Sequence, residues 1–416
     1  MRGQGLRQEV RAREAPLGKP YWVLWTAGAI SFLGDGITFG ALPLLAASMS
    51  RDPRVVSLTE AVTGIGWLLL GLVSGVMVDR WRRTTTMWIV DAIRAVVAGG
   101  FAVVVLLGQE SIPLLLITGF LLGMLAPFFD NASAVVIPDL VVATALERAN
   151  GYNQAALVLL ANLIGPPLGA VLFVMHHGLP IMVDAISFAA AAVLVFLVRR
   201  AAPARAVSPD RNLGRELKEG LLYLWRHKLL RSLCLLLLVA NAVGAGIIAI
   251  LVLYVLEALH LPEAWFGWLV ATYAVGGVVG AALAPRLARR LSTFTNLIVS
   301  MLVLGFAVVV FGVVSELALI IAGAVLMGFG STWWNVISIS LRQRIVPAAL
   351  LGRVTAVYRM VAFCAAPVGA VGAGFLAHRT DLRTPYLVMG LLQLAATLAF
   401  APLIKRELSA DSGSSG

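Results

Sequence analysis

Gly75-Val76-Met77-Val78-Asp79-Arg80-Trp81-Arg82-Arg83 lies between two long apolar runs, where one hydrophobic segment ends and the next begins. A glycine four residues before an Asp-Arg pair lets a neighbouring helix approach closely. The acid and the arginines then emerge together at the membrane surface. There Asp79 can sit against the positive N-terminal end of another helix. The arginines can pair with carboxylates on adjacent helices or face anionic lipid. Such an arrangement suits a latch that opens and closes.

The rest of the chain explains why this is a membrane surface. Of 416 residues, 60% are hydrophobic and only 13% charged, and the mean hydropathy is +0.92. A soluble domain has no use for so much apolar surface, so the bilayer is the expected solvent. The tail 1–20 is polar and Arg-rich. The apolar segment after it is too long for a signal peptide and lacks a small-residue cleavage site. Cys234 and Cys364 both fall inside apolar runs and imply neither a disulfide framework nor a metal cluster.

Hydropathy predicts twelve spans. Their limits are 21–49, 55–78, 86–108, 112–135, 154–175, 180–198, 229–256, 264–285, 294–314, 317–340, 354–377 and 384–404. With the N-terminus cytoplasmic, nearly all of the 32 Lys and Arg fall on the cytoplasmic side. The exceptions are Arg51, Arg54, Arg379 and Arg383 opposite, and Arg94 within span 3. The positive-inside rule therefore places both termini in the cytoplasm of a bacterial-type inner or plasma membrane. The net charge of +11 is thereby a mark of topology, and nucleic acid is not an expected partner. Trp22, Trp25 and Trp265 near span ends fit an interfacial belt.

Five parts follow: a cytoplasmic tail (1–20), a six-helix bundle (21–198), a linker (199–228), a second six-helix bundle (229–404) and a flexible tail (405–416), of which Ser409 to Gly416 reads as an appended remnant. The linker holds Pro203, Pro209 and the charged run Arg215 to Glu219, expected as a short amphipathic helix on the membrane surface. The halves echo each other. Span 2 ends Gly71…Gly75…Asp79-Arg80, and span 8 ends Gly276-Gly277…Gly280…Pro285-Arg286 without the acid. Span 5 carries Gly165-Pro166-Pro167-Leu168-Gly169, and span 11 carries Ala366-Pro367-Val368-Gly369. Matching interruptions in two halves point to bundles that rock around a central cavity.

Together these residues resemble the major facilitator superfamily, an all-α membrane fold of two pseudo-symmetric six-helix bundles. The stretch from Gly75 is similar to that family's G-x-x-x-D-R-x-G-R-R/K motif: Gly75, Asp79, Arg80 and Arg83 match, while Arg82 and Thr84 depart from it. Gly165, Pro166 and Gly169 resemble the span-5 motif of the family's exporters, with Ala161 or Asn162 where a glycine is usual. Phe128-Phe129-Asp130-Asn131 through Pro138, together with Gly34-Asp35-Gly36, resembles the branch holding macrolide, tetracycline and aminoglycoside efflux pumps and the enterobactin exporter. The resemblance implies a drug:proton antiporter in which Gly75, Asp79, Arg80, Arg83 and Asp130 form a conformational latch. It does not choose a substrate.

Asp35 is the sharpest candidate site. An ionised carboxylate mid-span costs about 2.5–3.5 kcal/mol on insertion scales. It reads either as a proton carrier or counter-ion for a cationic substrate, or as an acid bonded to a glycine-flanked turn. Asp91 and Arg94 share a face of span 3 at i and i+3, as a local ion pair or a relay of protonation. Asp184 reads as a boundary residue at the start of span 6. Gly165, Pro166, Pro167 and Gly169 imply a kink and close helix contact. Phe39, Asn162, Asn241, Trp333, Trp334, Asn335, Phe363 and Gln393 sit inside spans, where they either line a cavity for a lipophilic solute or pack between helices.

No catalytic constellation, P-loop or dinucleotide fingerprint appears, and the five histidines fall in loops or near span ends. The chain therefore reads as a transporter rather than an enzyme, without cofactor, its energy coming from an ion gradient (a proton gradient in the leading reading) or from the substrate's own gradient. Small molecules and membrane lipid are the expected partners and a monomer the expected state. The leading reading is proton-coupled efflux of lipophilic or amphipathic small molecules (drug, antibiotic or siderophore-like). The alternative is a lipid or lysolipid flippase or an uncoupled facilitator. An intramembrane hydrolase would need a paired Ser–His or a second acid motif, which the spans lack.

Overall fold

The computed structural model describes residues 17–198 and 213–413, apart from the side chains of 72–73, 75–80, 134–135, 143, 213, 349 and 410–413. The tail 1–16, Pro203, Pro209 and 414–416 therefore lie outside the described residues. Among the described residues, twelve helical spans are long and apolar enough to cross a membrane. In hydrocarbon each backbone N–H and C=O must be satisfied within its own segment, so uninterrupted apolar runs become helices. Among the described residues there is no strand.

The first half comprises α1 (Lys19–Met49), α2 (Pro53–Arg80), α3 (Arg83–Leu106), α4 (Ile112–Leu140), α5 (Leu146–Met175) and α6 (Leu179–Val198). The helices stop where the sequence supplies stops. Gly108, at φ +67°, follows the end of α3. Its N–H donates to the Val105 carbonyl at 3.1 Å, and the Gln109 N–H donates to the Val104 carbonyl at 3.1 Å. This is a left-handed C-terminal cap that glycine adopts without strain.

A surface helix, α7 (Leu213–Arg226), precedes the second half. That half comprises α8 (Lys228–Ala258), α9 (Ala264–Arg290), α10 (Thr293–Val313), α11 (Leu317–Ile345), α12 (Ala348–Phe363), α13 (Ala366–Arg379) and α14 (Thr384–Gly413). α12 and α13 are the two parts of one broken span. The final helix runs through Gly413 and so takes in 405–413 of the expected tail.

Contacts divide the chain into two compact units: Met1–Leu42 with Ile65–Pro209, and Pro43–Gly64 with Asp210–Gly416. The hairpin made by the end of α1 and the first half of α2 thus belongs with the second unit. There, Ala61 of α2 packs with Ala249 of α8 and Ala370 of α13.

The kinks fall at the Gly/Pro motifs. In α5 the α-helical turns give way to a π-helical segment, Leu157–Ile164, before Gly165-Pro166-Pro167. Proline lacks the N–H that an α-helical ladder needs, and a widened turn is one way to absorb that loss. α12 and α13 part at Cys364-Ala365, just before Pro367. Within each half, the glycine of the corresponding Gly/Pro motif makes a close backbone contact. A Cβ on Gly169 of α5 would strike the Ile37 carbonyl of α1. A Cβ on Gly369 of α13 would strike the Ala242 carbonyl of α8. Small residues supply this close backbone approach in a medium that provides no hydrophobic drive between helices.

Candidate functional site

Inside the first unit, three helices place their charges together. Arg94 of α3 donates from Nη2 to Asp35 Oδ1 of α1 at 2.5 Å. Its Nη1 is 3.8 Å from Asp91 Oδ1, one turn earlier on α3. The guanidinium lies over the Phe188 ring of α6, 3.9 Å from its centroid. Arg94 and Asp91 are buried, with side-chain exposures of 5% and 0%, whereas Asp35 is 37% exposed. Asp35 is therefore the member of the group that reaches an accessible surface.

Asp184 belongs here too. It is 1% exposed. Its Oδ2 accepts from Thr38 Oγ1 at 2.6 Å, and its Oδ1 from Ser187 Oγ at 3.2 Å. A Cβ on Gly34 would strike Ser187 and Asp184, so α1 and α6 meet closely at this point. The expectation of a boundary residue is corrected: α6 begins at Leu179, and Asp184 lies more than one turn inside, facing α1. Asp184 and Phe188 stand at i and i+4 on α6, a spacing that puts both on the face toward α1 and α3.

The group contains three carboxylates and one guanidinium. Both Asp91 oxygens lack a hydrogen-bond partner among the described residues. A buried carboxylate in that state is costly while ionised. Such an arrangement can hold a proton, release one, or exchange a proton for a cation at Asp35.

At the sequence's 2–3 connection, Gly75, Asp79 and Arg80 have side chains outside the described residues. Arg83, at the start of α3, pairs with Asp139 at the end of α4. Asp139 was not anticipated, although it adjoins the quoted Pro138. Asp130 is exposed on α4, and its neighbour Asn131 donates from Nδ2 to Ser74 Oγ at 2.8 Å. Gly165, Pro166, Pro167 and Gly169 are all buried at the α1 contact.

The remaining candidates separate by burial. Phe39, Asn162, Asn335 and Phe363 are exposed. Asn241 Nδ2 donates to the Ala362 carbonyl at 2.8 Å, beside the break between α12 and α13. Trp333, Trp334 and Gln393 are buried inside the second unit, which fits the packing side of their two readings. Trp333 Nε1 donates to Asn296 Oδ1 at 2.9 Å, and Gln393 Nε2 donates to Thr397 Oγ1 at 3.3 Å. The Trp333 bond runs between helices, whereas the Gln393 bond to Thr397 lies within α14, and Met301 Sδ of α10, 3.4 Å from Gln393 Nε2, is its interhelical contact. Glu60, a partly buried acid within α2, is a further intramembrane carboxylate that the sequence reading passed over.

Twelve spans in two corresponding halves, with charges concentrated inside one of them, define an integral multi-pass membrane protein of the secondary-transporter class. Residues 13–415 match the model of a family described as transmembrane secretion effector. The chain belongs to that family, within the major facilitator superfamily. It is 26% identical to the multidrug efflux pump Tap of Mycolicibacterium fortuitum, over 94% of this chain and 97% of that protein. It is 22% identical to macrolide efflux protein A of Streptococcus pyogenes, over 92% and 95%. In fold it is similar to a bacterial homolog of the human lysosomal transporter Spinster, with a TM-score of 0.75, 13% identity and coverage of 94% and 98%. The family and these relatives are transporters.

Proposed function

We propose that this protein exports lipophilic or amphipathic small molecules in exchange for protons, with both termini in the cytoplasm. The observation that carries the reading is the ion pair between the half-exposed Asp35 and the buried Arg94, with Asp91 and Asp184 beside it. In one state Asp35 is ionised and paired with Arg94. A proton arriving from outside neutralises Asp35 and releases Arg94 to the neighbouring acids. A cationic or amphipathic solute approaching Asp35 competes for the same carboxylate, so proton and solute exclude each other. That exclusion is the basis of antiport. The latch around Arg83, Asp139 and Asp130, with Gly75, Asp79 and Arg80, then governs which side is open. The relatives named as a multidrug efflux pump and a macrolide efflux protein support the direction and the substrate class. No cofactor or second subunit enters this cycle, and the energy is that of the proton gradient.

The test is reconstitution of the full chain in vesicles with an imposed pH gradient, a dye reporting proton movement and a lipophilic cation as solute. The wild type is expected to couple the two fluxes. Asp35→Asn is expected to retain downhill solute movement and to lose gradient-driven movement. Gradient-driven efflux undiminished in Asp35→Asn overturns the reading, and solute flux without proton movement in the wild type leaves an uncoupled facilitator.

A further inference from the structure

The surface helix α7 has two apolar faces. One is docked. Gly220 and Leu224 are buried, and a Cβ on Gly220 would meet the Arg353 carbonyl of α12 at 2.8 Å. Arg353 fixes the rotation of α7 about its axis: Nη1 lies 2.6 Å from Glu219 Oε2, and Nη2 lies 3.6 Å from Glu216 Oε1. These contacts all belong to the second unit. They account for the face bearing Glu216, Gly220 and Leu224 and leave the opposite face uncovered.

On that opposite face Leu221, Leu222 and Trp225 are 42%, 43% and 47% exposed. At 100° per residue, Lys218 stands among these three side chains, and Arg215 and Arg226 stand at one edge of the group. All three basic residues are exposed, and Arg215 Nε also donates to Glu219 Oε1 at 3.0 Å, so Lys218 and Arg226 carry most of the charge offered to phosphate. Neither water alone nor hydrocarbon alone suits such a face, because it mixes large apolar groups with full positive charges. The boundary between headgroups and acyl chains suits both: Trp and Leu enter the acyl edge while Lys and Arg reach phosphate. Immediately after the helix, Arg231 Nη1 donates to the Trp225 carbonyl at 3.3 Å, which brings a further cation to the same end.

We propose that this face of α7 is a docking surface for anionic phospholipid. The positive charge selects anionic over zwitterionic headgroups, and the clamp of Glu216 and Glu219 on Arg353 presents the face at a fixed rotation against the start of the broken span. Each basic residue near an anionic surface raises the preference about fivefold.

The experiment uses the full chain in nanodiscs of brominated phosphatidylglycerol or brominated phosphatidylcholine. Trp225 is isolated as the difference in fluorescence between the wild type and Trp225→Phe. Its quenching is expected to be at least about twofold greater in phosphatidylglycerol, and the excess is expected to vanish in the Arg215→Gln/Lys218→Gln/Arg226→Gln variant. Equal quenching in the two lipids, or an excess that survives in the triple variant, overturns the proposal. The wild-type comparison stands whether or not the variant folds.

Discussion

Arg94 Nη2 lies 2.5 Å from Asp35 Oδ1, and the same guanidinium is the cation nearest to Asp91, whose oxygens accept no hydrogen bond among the described residues. One side chain thus offsets charge on two helices. Removing it leaves two uncompensated acids, one of them fully buried. Arg94→Gln is expected to destabilise the protein by roughly 3–5 kcal/mol, the range for breaking a buried pair from one side. Adding Asp91→Asn to Arg94→Gln is expected to recover part of that loss. Thermal unfolding in detergent measures both, and an Arg94→Gln protein as stable as the wild type would contradict the arrangement.

Asp184 is held by Thr38 from the neighbouring helix. Thr38→Val keeps the shape and removes the donor, leaving Ser187 as the remaining side-chain partner. An expected loss of about 1–3 kcal/mol follows from stranding a buried acceptor. Thr38→Ser, which restores the hydroxyl, is expected to stay near the wild type. Equal stability of the Val and Ser variants would show that the bond contributes nothing.

The sequence made some of this legible and hid the rest for definite reasons. Spans and the Gly/Pro interruptions are local: an apolar run of sufficient length must be helical in hydrocarbon, and proline withholds an N–H from its ladder. The Asp91–Arg94 pair is also local, since i and i+3 share a helix face. That Asp35 completes the pair is not local, because 59 residues separate it from Arg94. Asp184 was misread because proximity to a span's end resembles exposure until the register of α6 against α1 is known. Trp333 and Gln393 show the converse. Hydropathy placed them inside spans but could not say which face they occupy, and in the packed interior Trp333 Nε1 donates to Asn296 and Gln393 Nε2 to Thr397.

The close helix contacts predict where added bulk is not tolerated. Gly169→Val would push against the Ile37 carbonyl, and Gly369→Val against the Ala242 carbonyl, both backbone atoms that cannot turn aside. Each is expected to cost about 1–3 kcal/mol or more through overpacking. Gly100→Ala is the control: nothing lies within 4 Å of its Cβ position. It is expected to be neutral or to stabilise α3 by up to about 1 kcal/mol through helix propensity. Yield of folded protein and unfolding temperature separate the outcomes. Equal tolerance at all three positions would mean that α1 and α5, and α8 and α13, do not approach as closely as described.

Asp52, in the connection between α1 and α2, gives a pH dependence of definite sign. The Arg54 side chain donates to it at 2.7 and 3.1 Å, and that bond draws the carboxyl down to about 2, from an ordinary 3.8. The Arg54 N–H also donates to Asp52, at 2.9 Å, and His378 Nδ1 at the end of α13 lies 3.4 Å away. A carboxyl lowered by folding contributes stability that is fully present above its unfolded value. The contribution is lost as pH falls from about 4 through about 2. Asp52→Asn keeps an acceptor for the Arg54 N–H but cannot ionise. The wild type is therefore expected to be the more stable of the two at pH 5, with the difference shrinking as pH falls and vanishing only below about 2. Paired unfolding curves across that interval measure it. A gap that stays constant with pH would show that the charge of Asp52 does not hold this turn against α13, and that the packing of Gly374 on Ser57 and Pro53 alone keeps the hairpin in the second unit.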